Sequence, residues 1–133
     1  MTLAVEEQLR RLADTLREEI GPAVGDEYTR TQAFMTSVIL RRLASQVEHG
    51  PRHAESERRD VLTLHARLEP ILAAESDQVT SAYAAAKAEG TVAALGPLIR
   101  QLHAADGAPS RDALDLIRPV LRSDIDRRME IAT

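Results

Sequence analysis

Tyr28, Gln32, Arg42 and Gln46 return to one side of a helix, together with Met35 and Ile39. A phenol, two carboxamides and a guanidinium on one face can line a polar pocket, because buried polar side chains need hydrogen-bond partners. These four are the candidate ligand-binding residues. The competing expectation is that they sit near helix ends, with the arginine stem lying over apolar surface and its head in water. His65 and Glu69 are spaced i, i+4, which can place two ligands over one metal ion. A carboxylate-bridged di-metal bundle would need Glu-x-x-His on two helices with further inward glutamates. No such motif occurs, and no metal is expected. His49 and His53 flank a polar stretch, whereas His65 and His103 border apolar stripes. Asp124 and Arg128, also i, i+4, read as a local ion pair.

No nucleophile stands in a recognisable setting. The chain lacks a G-x-S-x-G elbow, a phosphate-binding loop, a dinucleotide-binding glycine pattern and H-E-x-x-H. Without cysteine, a nucleophile would have to be Ser, Thr, Tyr, Lys87 or a carboxylate, so catalysis is not favoured and no cofactor is expected.

The elements that must position these residues are helical. The apolar positions are filled mainly by Ala and Leu, and the aromatics are limited to Tyr28, Phe34 and Tyr83. Ala and Leu favour helices, whereas strands want β-branched and aromatic residues. A first helix over 3–20 carries Val5, Leu9, Leu12, Ala13, Leu16 and Ile20 in one stripe. Gly21, Pro22 and Gly25 break it, and Asp26 suits the N-cap of a second helix. That second helix, about 27–48, is apolar on most faces through AFMTSVIL (33–40), the pattern of a helix surrounded by others. It is the expected centre of the bundle. HGPRHAESERRD (49–60) reads as a polar loop entering a third helix with Val61, Leu64, Leu68, Ile71 and Leu72 on one face. Ser76 and Gly90 bound an alanine-rich helix. Val92, Leu95, Leu98, Ile99 and Leu102 make a further stripe. Ser110 is placed to cap a last helix with Leu114, Ile117, Leu121 and Ile125 inward. The reading is all-α: five or six helices in one domain over 1–133, with proline-bent helices packed around 27–48.

The prolines belong to a repeated shape: IGPAV (20–24), LEPIL (68–72), LGPLI (95–99) and IRPVL (117–121). Around Pro70, Pro97 and Pro119 the apolar residues keep helical spacing, so these prolines are expected to bend helices and not to end them. Pro22 and Pro97 each follow a glycine, which leaves a helix restart open there. An interior proline costs about 3 kcal/mol and frees the carbonyl four residues earlier, so packing must outweigh that cost.

A net charge of −4 and scarce aromatics disfavour nucleic acid. No apolar run approaches the ~20 residues of a membrane span, and Glu6 and Glu7 stand where a signal peptide would be apolar. A cytoplasmic, bacterial protein is the expectation, the latter from an excess of Arg and Ala. SAYAAAKAEG (81–90) offers small residues on several faces, so it is either covered by a copy of the chain or another protein, or internal to the monomer.

LRRLADTLREEIGPAV (9–24) followed by DEYTRTQAFMTSVILRRLASQVEHG (26–50), and loosely LIRPVLRSDIDRRMEIA (116–132), resemble a bacterial helical domain of unknown function. That domain is found beside or fused to aminoglycoside-phosphotransferase-like kinases, in clusters with acyl-CoA dehydrogenases. The resemblance implies an accessory role near such enzymes and carries over no catalytic residue. The expected function is therefore a non-catalytic helical accessory or protein-interaction domain. The alternative is a small-molecule-binding or catalytic bundle that uses the Tyr28–Gln46 stripe.

Overall fold

A computed structural model describes residues 2–132, and every structural statement below concerns those residues. The chain is all-α, with no strand among the described residues. Helix α1 (Val5–Thr15) continues through a π-helical turn, Leu16–Ile20, into a last turn, Gly21–Ala23. Then follow α2 (Glu27–Leu72), α3 (Asp77–Glu89), α4 (Leu95–Ala105) and α5 (Ala108–Ala132). Two compact units divide the chain: residues 1–52 with 129–133, and residues 53–128.

In the first unit, α1 and the N-terminal half of α2 form an antiparallel hairpin. Its turn is closed by Asp26, whose carboxylate accepts from the Thr29 amide at 2.9 Å and the Thr29 hydroxyl at 2.6 Å. Those bonds hold the Asp26 carboxyl below its usual range, the hydroxyl contributing most. This is the expected cap. The π turn lies just before Gly21-Pro22. Proline cannot donate to the helical ladder and its ring crowds the carbonyl four residues back, and a widened turn makes room for it. Gly21 is buried there, and a Cβ on it would lie 2.9 Å from the Leu16 carbonyl oxygen and 3.7 Å from the Ala33 Cβ.

Small residues make the seam of this hairpin: Ala13, Gly21, Ala33, Ser37 and Ala44 are buried. On one flank Arg10 pairs with Glu48, Arg41 pairs with Asp14, and the Arg17 guanidinium sits 5.0 Å from the Phe34 ring centroid. The large apolar side chains of 27–48 are not interior, which corrects the expectation of a surrounded central helix. Met35 is 49% exposed and Ile39 56%. The all-round apolar pattern reports surface that this chain leaves uncovered. It does not report burial.

In the second unit, the core gathers Leu64, Leu68 and Leu72 of α2, Val79 and Ala86 of α3, Leu95, Leu98 and Leu102 of α4, and Ala113 and Ile117 of α5. Helix α3 starts and ends as expected: the Ser76 hydroxyl accepts from the Val79 amide at 3.4 Å, and Gly90 adopts φ 71°, a left-handed conformation suited to glycine. The Glu57 carboxylate accepts from the Val92 amide at 2.9 Å, tying the α3–α4 connection to α2.

Three expectations fail here for local reasons. Residues 49–60 are helical, with Pro51 inside α2. Their polarity suggested a loop, yet Ala54, Glu55, Glu57, Arg58 and Arg59 are good helix formers, and Glu55 pairs with Arg58 and Arg59 along the helix surface. Ser110 is no cap, because α5 begins at Ala108 and the Ser110 side chain is buried with its hydroxyl unpartnered among the described residues. Ile125 is exposed, while Asp124 turns inward. Pro70 and Pro119 lie within helices as expected, whereas Pro97 occupies the first turn of α4.

Two outcomes check this packing. Leu68→Ala, at a fully buried site, should cost about 2–5 kcal/mol, and Met35→Asp, at a half-exposed one, about 1 kcal/mol or less; denaturant melts of both variants measure the contrast. Gly21→Ala should lower the melting temperature despite the roughly 1 kcal/mol helix-propensity advantage of alanine, because the new methyl group meets backbone oxygen.

Candidate functional site

The four residues singled out by type fall on α2. Tyr28 is 71% exposed, and Gln32, Arg42 and Gln46 are exposed as well. The structure keeps them in one row, on the side of α2 away from the small-residue seam. Arg42 borders a depression of about 290 Å³ shared with Arg10, Val38, Arg41, Ser45, Ile131 and Ala132. The row is an open surface of phenol, carboxamide and guanidinium groups flanked by Met35 and Ile39. Such a surface suits a partner's side chains more than a small molecule, which is usually held in an enclosed cleft of several hundred Å³.

The second candidate is His65. Its position on the apolar face of α2 buries it to 4% exposure, and neither ring nitrogen has a hydrogen-bond partner among the described residues. Tyr83 of α3 packs on it, with ring centroids 5.4 Å apart, and the Tyr83 hydroxyl donates to the His65 carbonyl at 2.9 Å. Burial pushes the imidazole pKa down, and the Lys87 charge adds to that. Burial likewise pushes the Tyr83 phenol up. Glu69 pairs with Lys87 at 3.4 Å, and both border, with His65, the pocket beside the imidazole. Beside the imidazole lies an apolar pocket of about 240 Å³ bordered by Val61, Leu62, Ala66 and the stems of Arg58 and Lys87. The neutral histidine and its tyrosine lid therefore act as core members joining α2 to α3.

Charge chemistry is concentrated at Asp124. Its carboxylate accepts from Arg128 Nε at 2.8 Å and lies 3.6 Å from an Arg127 nitrogen, while Arg127 reaches Asp60 of α2 at 2.8 Å. The expected Asp124–Arg128 pair is thus part of a larger network that clips α5 to α2. Spacing within α5 revealed the local pair, but the reach to Asp60 depends on tertiary placement. No group of three or more His, Asp or Glu able to hold a metal occurs among the described residues, and none of their helices is long and apolar enough to cross a membrane.

The depressed histidine pKa has a definite stability consequence. The unfolded chain binds a proton at His65 near its ordinary pKa of about 6.5, whereas burial makes the folded chain take it up only at lower pH, so this contribution to stability is present above the ordinary value and is lost as pH falls below it. His65→Leu should flatten the loss of melting temperature as pH falls below about 6.5. An unchanged slope would show that the imidazole titrates freely in the folded state.

Comparison with protein-family models, with curated proteins and with solved structures finds no match for this chain.

Proposed function

We propose that this chain is a non-catalytic helical interaction module whose working surface is its N-terminal unit. One observation carries the reading. That unit buries only small side chains among its described residues, while leaving eleven large apolar ones between 38% and 71% exposed, from Leu3 to Val47. Scattered exposed leucines are ordinary on a protein surface. A whole hairpin with its large apolar residues outside and its alanines inside is not, and contiguous surface of this kind marks a place where another chain sits.

The Tyr28–Gln46 row supports the same reading. Tyr28, Gln32, Met35, Ile39, Arg42 and Gln46 advance in alternating steps of four and three, the spacing with which one helix meets another over several turns. Polar residues within such a seam favour a specific register and partner over general stickiness. An accessory role, of the sort the resemblance implies, needs a surface of this kind and no catalytic group.

A photo-crosslinking side chain introduced at Leu12, within the native cells, tests the reading. Discrete protein adducts are expected at this position and not at Arg118, an exposed residue of the other unit. If Leu12 yields no protein adduct at all, the interaction reading fails.

A further inference from the structure

The second unit holds a buried polar side chain that its fold does not use. His65 is 4% exposed, and neither ring nitrogen has a hydrogen-bond partner among the described residues. Buried polar groups are almost always paired, and a leucine on this apolar face would escape the penalty of leaving one unpaired. Tyr83 packs on the ring, but its hydroxyl donates to the His65 carbonyl and leaves the imidazole unserved. His65 also borders the pocket of about 240 Å³ whose apolar wall is Val61, Leu62 and Ala66 of α2. Small residues keep that space open. Position 66 is alanine, and at Gly90, which ends α3, a side chain would meet no atom within 4 Å. The wall holds a second acceptor besides the imidazole. Pro70, four residues beyond Ala66 and inside α2, has no N–H, so the Ala66 carbonyl lacks its usual helical donor.

We infer that this pocket binds a small neutral aromatic alcohol, a phenol in the simplest case. Size, charge and hydrogen bonding each narrow the class. An apolar cavity of roughly 150 Å³ holds a benzene, so about 240 Å³ admits one ring with a short substituent. The charges that border the pocket are already matched: Lys87 pairs with Glu69 at 3.4 Å, and Arg58 pairs with Glu55 at 2.8 Å. An ionic ligand would give up its hydration there without a free counter-charge. The two cations still favour an aromatic face beside them over a saturated ring. A neutral imidazole offers one N–H donor and one bare nitrogen acceptor, and a hydroxyl answers either. It can accept from the N–H while donating to the Ala66 carbonyl, or it can donate to the bare nitrogen. Both nitrogens are sealed from water as the ring stands. A half-turn about the Cβ–Cγ bond, where the torsion is roughly two-fold, puts nitrogen where carbon stood and leaves the outline of the ring unchanged. The pocket belongs to residues 53–128, and it holds its ligand whether or not a partner covers the hairpin.

Phenol itself is the probe, titrated into the full chain in parallel with toluene and cyclohexanol while the ring nitrogens of His65 and His103 are followed by NMR. Saturable binding of phenol is expected, with a Kd on the order of 1 mM or tighter, within reach of so small a ligand. Toluene, which lacks the hydroxyl, should bind at least about tenfold more weakly. Cyclohexanol, which lacks the aromatic face, should bind about threefold more weakly or worse. The His65 nitrogens should shift on titration, and those of His103, an exposed histidine, should not. His65→Leu should abolish the preference for phenol over toluene. If that variant does not fold, Ala66→Leu takes its place, since Ala66 is exposed and the larger side chain occupies the pocket; it should weaken phenol binding at least about tenfold. Phenol that fails to saturate, binds no better than toluene or cyclohexanol, or moves His103 as far as His65 overturns the inference. So does a preference for phenol that survives His65→Leu, or phenol binding left intact by Ala66→Leu.

Discussion

Where α1 meets the N-terminal half of α2, the two helices touch through Ala13, Gly21, Ala33, Ser37 and Ala44. Residues this small let backbones approach closely, but each hides little apolar surface, at about 25 cal/mol per Å² removed from water. Ordering the helices meanwhile costs about 1–2 kcal/mol per residue of backbone entropy. The close seam dictates several other features of the unit. It takes in Gly21, although the atom a Cβ there would meet is the Leu16 carbonyl oxygen of the preceding π turn, at 2.9 Å, while Ala33 across the seam lies at an ordinary 3.7 Å. It also displaces leucine, isoleucine, methionine and valine to the flanks and the back. A hairpin built in this way gains stability by being covered.

The second unit meets the same requirement by other means. Leu68, Leu72, Leu95, Leu98, Leu102 and Ile117 are fully buried together, and the charge network around Asp124 and the Glu57 carboxylate fasten helix ends to that core. His65 belongs to the same interior, kept neutral by burial and covered by Tyr83. The unit is self-sufficient in apolar packing, and the Arg127–Asp60 pair and the Glu57–Val92 bond hold its helices to one another.

Helix existence and the second core were legible in the sequence because local periodicity and tertiary burial agree there: the stripes through Leu64, Leu68 and Leu72 and through Leu95, Leu98 and Leu102 are buried as spaced. The caps at Asp26, Ser76 and Gly90 were legible because each depends on one side chain or one backbone angle. Residues 27–48 misled for a physical reason. An apolar side chain states a preference for leaving water and does not name the chain that receives it, so a helix surrounded by its own domain and one awaiting a partner look alike. Polarity at 49–60 misled in the opposite sense, since a helix that is polar all round can still be held by its own ion pairs. The Tyr28–Gln46 row was legible as a row, whereas its exposure depends on how α1 chooses its side of α2. The buried, unpartnered imidazole of His65 was legible only as a histidine on an apolar border.

The central claim is that the N-terminal hairpin owes part of its stability to a surface that another chain covers. Native-state hydrogen exchange of the chain in buffer and in extract of its native cells tests it most directly. Protection of the amides of residues 9–20 and 33–47 should rise in the extract, because occupancy of the complex adds to the stability of whatever it covers, while protection of residues 64–72 and 95–102 should stay constant. Protection of both sets that is the same in buffer and in extract would contradict the account.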